Sequence, residues 1–302
     1  MGLLEEVTTS GKIKKNALVL LYGPEKVGKS TFASDMPAPY FICGEDGTNE
    51  LDVSRAKPKD WIHLKKILKA LNEEDHNYKT VVFDTIDWLE QLQLRHLKSV
   101  NHVENVKALG GGWGAYKDIL KTEWHNMFNY LDLLREKMNI LFLAHCTSKK
   151  FSDPLNSCEY DKYELKMDYP EVSSVFKEYV DAILFANFET SIKKDKQTKK
   201  VRAYGDNTRV LYTERTHAFD AGNRHGMPNE MELDAKKAME YINRDDDKKC
   251  KDLIKEIGFL LSEINQEEYA KTVKSYVDKN KKNEKKLNST VNKLKIKLSE
   301  GE

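Results

Sequence analysis

Nine residues, GPEKVGKST at 23–31, constrain this chain more than any other feature. They fit the spacing G-x-x-x-x-G-K-[ST] at Gly23, Gly28, Lys29 and Ser30. The preceding run, ALVLLY (17–22), is short and continuously apolar, so it reads as a buried strand, and TFASDM after it can open a helix. Strand, glycine-rich turn and helix in that order turn backbone N–H groups toward an anion, and the helix end adds favourable partial charge. Pro24, Glu25, Lys26 and Val27 complete the turn. Lys29 is the candidate to neutralise the β/γ oxygens of a triphosphate, Ser30 to ligate Mg²⁺, and Thr31 to add a phosphate contact. ATP and Mg²⁺ are the expected cofactors.

The rest of the first 230 residues suits such a loop. PYFICG (39–44), TVVFD (80–84), NILFLAHC (139–146) and VDAILFANF (180–188) are apolar without alternation, as strands buried on both faces of a parallel sheet are. Between them, 59–71 and 115–138 carry apolar residues at three- and four-residue spacing, which predicts amphipathic helices whose aromatic residues are core. From 180 onward VDAILFANFETSI, the polar turn KKDKQTKK, VRAYG and RVLYTERT predict an antiparallel extension. All seven prolines fall at or before Pro228, and helical segments are expected around 231–243, 249–264, 266–278 and 284–298. The expected fold is α/β: a mainly parallel central sheet with an antiparallel extension in 1–230, then a lysine-rich helical appendage in 231–302.

A phosphate loop of this kind needs an acid for the metal. Asp84 closes a buried strand, at the edge where ligands bind an open α/β sheet, and is expected to hold Mg²⁺ directly or through water. Asp87 reads as the cap of the following helix. Glu45 and Asp46 follow the strand at 39–44; Glu45 is the candidate base for water and Asp46 a turn or cap residue.

Taken in order, LYGPEKVGKSTFA, YFICGEDG, VVFDTIDWL, GGGWG, LFLAH and FDAGNRHGMP resemble the core of RecA-type recombinases. More narrowly they resemble the ATP-binding, RecA-like single-strand annealing proteins of phages, over about 15–227. That resemblance implies that Glu45 is the catalytic glutamate. It makes His145 a polar sensor of the γ-phosphate, although a purely structural histidine is the competing reading. It also turns two loops toward single-stranded DNA. In 98–114, Lys107 is a phosphate contact and Trp113 either stacks on a base or packs beneath its own loop. In 146–170, Lys149 and Lys150 are the candidates, although acids bring that loop close to neutrality. KKDKQTKKVR (193–202) reads as a basic hairpin tip. Of Arg202, Arg209, Arg215 and Arg224, the last two are candidates to reach a neighbouring subunit's phosphates, or else to form salt bridges within the sheet.

The activity implied is a Mg²⁺-dependent ATPase that binds single-stranded DNA and promotes annealing or recombination in phage DNA metabolism. The alternatives are a helicase-like or loader motor and an ATP-binding switch acting through its C-terminal helices. A homo-oligomer is expected. Residues 271–297 carry ten lysines against Asp278 and Glu284. They read as a solvated helix face, or as a surface for DNA, a single-strand-binding protein or another replication protein.

Composition sets the outer bounds. Fifty Lys+Arg against 49 Asp+Glu give a formal charge of +1, so net charge argues for no polyanion partner. The four cysteines, Cys43, Cys146, Cys158 and Cys250, lack zinc-ligand spacing and read as reduced thiols. No apolar run reaches the roughly 20 residues of a membrane span, and the N-terminus has no signal-peptide pattern. A cytoplasmic protein, in the host cell if phage-encoded, is expected.

Overall fold

The computed structural model describes residues 3–9, 15–44, 47–153, 158–189, 191–194, 201–204, 207–243, 246–264, 266–281 and 284–299. In chain order its first unit contains α1 (Leu3–Val7), β1 (Leu18–Gly23), α2 (Lys29–Ser34), β2 (Pro39–Cys43), β3 (Ser54–Ala56), α3 (Trp61–Glu73), β4 (Thr80–Asp84) and α4 (Ile86–Val100). A 3-10 turn (Val106–Gly111), α5 (Tyr116–Arg135), β5 (Asn139–Asp153), β6 (Cys158–Leu165), α6 (Pro170–Tyr179), β7 (Ala182–Phe188), β8 (Ser191–Lys194) and β9 (Val201–Tyr204) follow. The unit ends with β10 (Arg209–Tyr212), β11 (Gly222–Asn223), β12 (Glu230–Glu232) and α7 (Ala235–Ile242).

The fold is α/β, and the apolar runs form the middle of its sheet. The strand order is β12-β10-β7-β1-β5-β4-β2-β3. The strands from β7 to β3 are parallel, while β10 and β12 extend the sheet antiparallel. Alternation along β1 sorts the two cores. Leu18, Leu20 and Tyr22 join Trp61, Trp124 and Phe176 on one face. Val19 and Leu21 join Phe32 and Ala33 of α2 and Ala238 of α7 on the other. The aromatic stripe of α5 is core, as its spacing implied: Trp124 meets Trp61 edge-on at 5.1 Å between ring centroids. The Asp60 side chain accepts a 2.7 Å hydrogen bond from the His63 N–H and so starts α3 as a helix cap.

β8 and β9, expected in the antiparallel extension, instead pair with each other as a separate two-stranded sheet. Three further features depart from expectation. Most of 146–170 is not a loop: β5 runs on through Asp153 and pairs antiparallel with β6. Its alternating charges obscured the pattern because one of them, Lys162, is buried by ion pairing rather than solvated. Lys162 Nζ lies 2.8 Å from Asp220 and 3.0 Å from Glu164, and Lys177 bridges the same two acids at 2.8 and 2.5 Å. The Tyr22 hydroxyl donates to the Asp220 carbonyl at 2.6 Å, which ties this cluster to the end of β1. Second, α6 intervenes before β7, and the acid Glu90 of α4 anchors the chain leading into it, accepting hydrogen bonds from the N–H groups of Asp168 and Tyr169 at 2.7 and 3.1 Å. Third, the compact units divide after Ile242 rather than at 230, because α7 buries Ala235, Ala238 and Met239 in the sheet's second core.

The second unit, Asn243–Glu302, contains α8 (Asp246–Glu263), α9 (Glu267–Lys279) and α10 (Glu284–Ser299). Its own core includes Leu253, Ile257, Leu260, Leu287, Val291 and Leu294. Lys295 pairs with Glu256 at 2.8 Å, and the Lys297 ammonium lies 4.8 Å from the Tyr269 ring centroid. Among the described residues no helix is long and apolar enough to cross a membrane.

Burial pushes the Glu90 carboxyl from its ordinary 4.5 up to about 7, against the opposing pull of the two N–H donors. Between those values the folded chain holds a proton that the unfolded chain has lost, so this group's contribution to stability falls as pH rises. Urea unfolding from pH 4.5 to 7 is expected to show that decline, and Glu90→Gln to flatten it.

Candidate nucleotide-binding site

Strand register builds the site. β1 is hydrogen-bonded to β5 on one side and β7 on the other, and β4 lies beyond β5, so the C-terminal ends of β1 and β4 open on one edge level with Leu143–His145 of β5. There β1 gives way to the loop and α2. Gly28 sits at φ +105°, a left-handed conformation costly for any residue with a β-carbon. Val27 is fully buried under the loop, while Glu25, Lys26 and Thr31 are exposed and Pro24 is half-buried. Glu25 meets Lys166 at 3.6 Å.

Lys29 is only 6% exposed, yet no carboxylate among the described residues forms an ion pair with it. Its ammonium donates to the carbonyls of Gly23 at 3.0 Å and Pro24 at 2.8 Å, which leaves one of its three donors unused. Burial pushes its pKa below the ordinary lysine value, although Cys146, Asp84 and Asp87 pull the other way. Opposite it, the Ser30 hydroxyl donates to Asp84 Oδ2 at 2.7 Å, which joins the start of α2 to the end of β4. Burial pushes the Asp84 carboxyl above its ordinary range despite that hydrogen bond and the nearby Lys29 charge. A buried ammonium and a half-buried carboxylate thus flank one loop without forming an ion pair. An anion bearing a divalent cation satisfies both.

The donor set fits Mg²⁺. That ion takes one or two protein oxygens and completes its shell with water and phosphate. Ser30 and Asp84 supply the protein oxygens, and among the described residues no cluster of three His, Cys, Asp or Glu side chains offers a self-sufficient metal cage.

Asp87 does not cap α4. Thr85 holds the cap position without a side-chain cap bond. The Asp87 carboxylate instead holds His145, 2.9 Å from Nδ1 and 3.3 Å from the backbone N–H. Burial alone would raise the Asp87 carboxyl, but hydrogen bonds from His145 and Thr85 outweigh it and keep it below the ordinary range. His145 is therefore oriented beside Asp84, at the point where β5 leaves the sheet. Its neighbour Asp87 was missed because its position in a first helical turn favours a capping reading.

The other candidates are dispersed. Glu45 and Asp46 lie outside the described residues, as does most of the KKDKQTKK turn, 195–200. Trp113 is fully exposed with φ +52° and does not pack beneath its loop. Lys107 is exposed on the preceding 3-10 turn, and Lys149 and Lys150 are exposed on β5. Arg215 and Arg224 each face a carboxylate of their own chain, Asp220 at 3.5 Å and Asp181 at 3.8 Å, while remaining 68% and 80% exposed. Arg209, by contrast, rests against the loop itself.

Residues 15–225 match the AAA domain family AAA_24, and the chain belongs to it. It is thus a P-loop NTPase of the AAA type. Within that class it is similar to the SPbeta prophage-derived uncharacterized protein YorG of Bacillus subtilis (strain 168), 23% identical over 150 residues. That match covers 48% of this chain and 46% of YorG, so the chain matches about half of its relative's length. Among solved structures it is similar to the RadB recombinase, with 11% identity, 65% of this chain and 89% of that chain covered, and a TM-score of 0.33. Agreement that low carries neither fold nor activity across.

Gly28→Ala forces a β-carbon into a left-handed conformation and against Arg209. It is expected to cost about 1–2 kcal/mol in nucleotide-free urea unfolding.

Proposed function

We propose that this P-loop NTPase is a Mg²⁺-dependent ATPase that binds single-stranded DNA and promotes annealing or strand pairing in phage DNA metabolism. The observation that carries the ATPase reading is the buried Lys29 and the half-buried Asp84, which flank one glycine loop without an ion pair between them. Lys29 would hold the phosphates, and Ser30 and Asp84 would hold the metal. The bound ion would supply Lewis-acid neutralisation of developing phosphate charge. Glu45, which lies outside the described residues, is the proposed base for water.

Support for the DNA reading comes from β5. One continuous strand carries His145 at the loop's edge and Lys149 and Lys150 on the exposed hairpin. In this reading the Asp87–His145 contact shifts when phosphate is bound, and the hairpin lysines move with it. Trp113, held out into solvent on its glycine-rich turn, suits base stacking, and the lysines suit a phosphate backbone. The prophage origin in the relative's name agrees with phage DNA metabolism. Assembly of several copies would let Arg215 or Arg224 leave its own carboxylate for a neighbour's phosphates. The lysine-rich second unit is the proposed surface for a single-strand-binding protein or another replication partner.

Two measurements test this. ATP turnover is expected to rise on titration with single-stranded DNA and to lose that stimulation at high salt. Lys29→Ala and Glu45→Gln are expected to remove turnover with the fold intact by circular dichroism. Turnover indifferent to DNA at every salt concentration contradicts the DNA reading. Second, Trp113→Ala is expected to weaken single-strand binding by about 1–3 kcal/mol, measured by fluorescence anisotropy, while leaving DNA-free turnover unchanged.

A further inference from the structure

We propose that Arg209 is a same-chain cation of the nucleotide site, contacting the diphosphate portion common to ADP and ATP from the β10 side of the loop. The proposal rests on the nucleotide reading above and extends it to a residue outside the loop motif.

Register brings Arg209 there. β7 runs parallel to β1, with Phe185 beside Tyr22. β10 runs antiparallel to β7, so that Tyr212 lies opposite Phe185 and Arg209 opposite Phe188. Arg209 therefore stands at the edge where β1 releases the glycine loop. Alternation sets its face. Leu211 is buried with Leu21, Leu184 and Ala186 in the core beneath α2, and Arg209, two residues from Leu211, shares that face.

The contact is direct. A β-carbon built on Gly28 would lie 2.7 Å from Arg209 Nη1, 3.4 Å from its Cζ and 3.6 Å from its Cδ. The guanidinium thus lies against the backbone of the residue preceding Lys29, with nothing but a missing side chain between them. It has no counter-charge of its own: among the described residues no carboxylate pairs with it. Arg135, Arg215 and Arg224 each have one, Arg135 and Arg224 sharing Asp181 and Arg215 facing Asp220. Lys29 occupies the inner side of the same loop, hydrogen-bonded to the carbonyls of Gly23 and Pro24. Arg209 is exposed and Lys29 is buried, so two like charges stand on either side of one glycine; a multivalent anion suits that pair, and a planar guanidinium fork matches phosphate oxygens.

The geometry also assigns the kind of effect. Arg209 is fixed on its own strand beside the loop before any phosphoryl transfer. Its contact is made in the ground state, and its loss weakens binding rather than the chemical step alone.

The test is calorimetric titration of the full chain with Mg²⁺·ADP and with a Mg²⁺-loaded non-hydrolysable ATP analogue. Wild type is compared with Arg209→Ala, Arg209→Gln and Arg209→Lys, all checked by thermal melting. Arg209→Ala and Arg209→Gln are each expected to raise Kd about tenfold, for both nucleotides alike, the loss of one charge-assisted contact. Arg209→Lys is expected to recover part of that loss. Unchanged Kd values in the folded alanine or glutamine variant overturn the proposal. So does a loss confined to the triphosphate, or turnover that falls while both affinities hold, since either makes Arg209 a group acting at the γ-phosphate. Wild type that binds neither nucleotide overturns the underlying nucleotide reading instead.

Discussion

A buried ammonium and a half-buried carboxylate that flank the same loop without an ion pair between them are the constraint on which the rest of this molecule turns. Lys29 has surrendered most of its hydration for two carbonyl contacts, and Asp84, half-buried, has exchanged part of its own for one hydroxyl. Removing either charge from water costs several kcal/mol when compensation is incomplete. A fold tolerates that cost where a ligand relieves it. The sheet is arranged to maintain the tension: β5 separates β1 from β4, so their ends present Lys29 and Asp84 on one edge without letting them collapse onto each other.

The same edge connects the loop to a strand pair with an exposed outer portion. β5 passes His145, which Asp87 orients, and continues without a break into the β5–β6 hairpin. The hairpin is stiff at its base. Lys162 and Lys177 share Glu164 and Asp220, and burial of Asp220 is outweighed by those two lysines, which hold its carboxyl below the ordinary range. The ion-paired base thus carries exposed lysines further out on the same strand pair. In the proposed coupling, a displacement at His145 would reach Lys149 and Lys150 along one hydrogen-bonded ladder.

Much of this was legible in the residues. Strands buried on both faces announce themselves as unbroken apolar runs, and β1, β2, β4, β5 and β7 all lie where such runs predict them. The glycine loop and Asp84 could be placed because their spacing and strand-end position are local properties. What was not legible depends on distant partners. β6 alternates acids, lysines and tyrosines, and Lys162 reads as solvated until Asp220, far along the chain, is brought beside it. Asp87 looks like a cap until β5 presents His145. Arg209 has no local signal at all, since only the pairing of β10 with β7 carries it to Gly28. Trp113 is the converse case: it stands fully exposed on a glycine-rich turn of positive φ angles, which spacing alone does not reveal.

The most direct measurement is a crystal of the full chain grown with Mn²⁺ in place of Mg²⁺ and a non-hydrolysable ATP analogue, with anomalous scattering used to locate the metal. The account predicts one manganese peak bonded to the Ser30 hydroxyl with Asp84 beside it, and phosphate oxygens within hydrogen-bond reach of Lys29 Nζ. An analogue bound elsewhere, or a metal site that bypasses both Ser30 and Asp84, would contradict it.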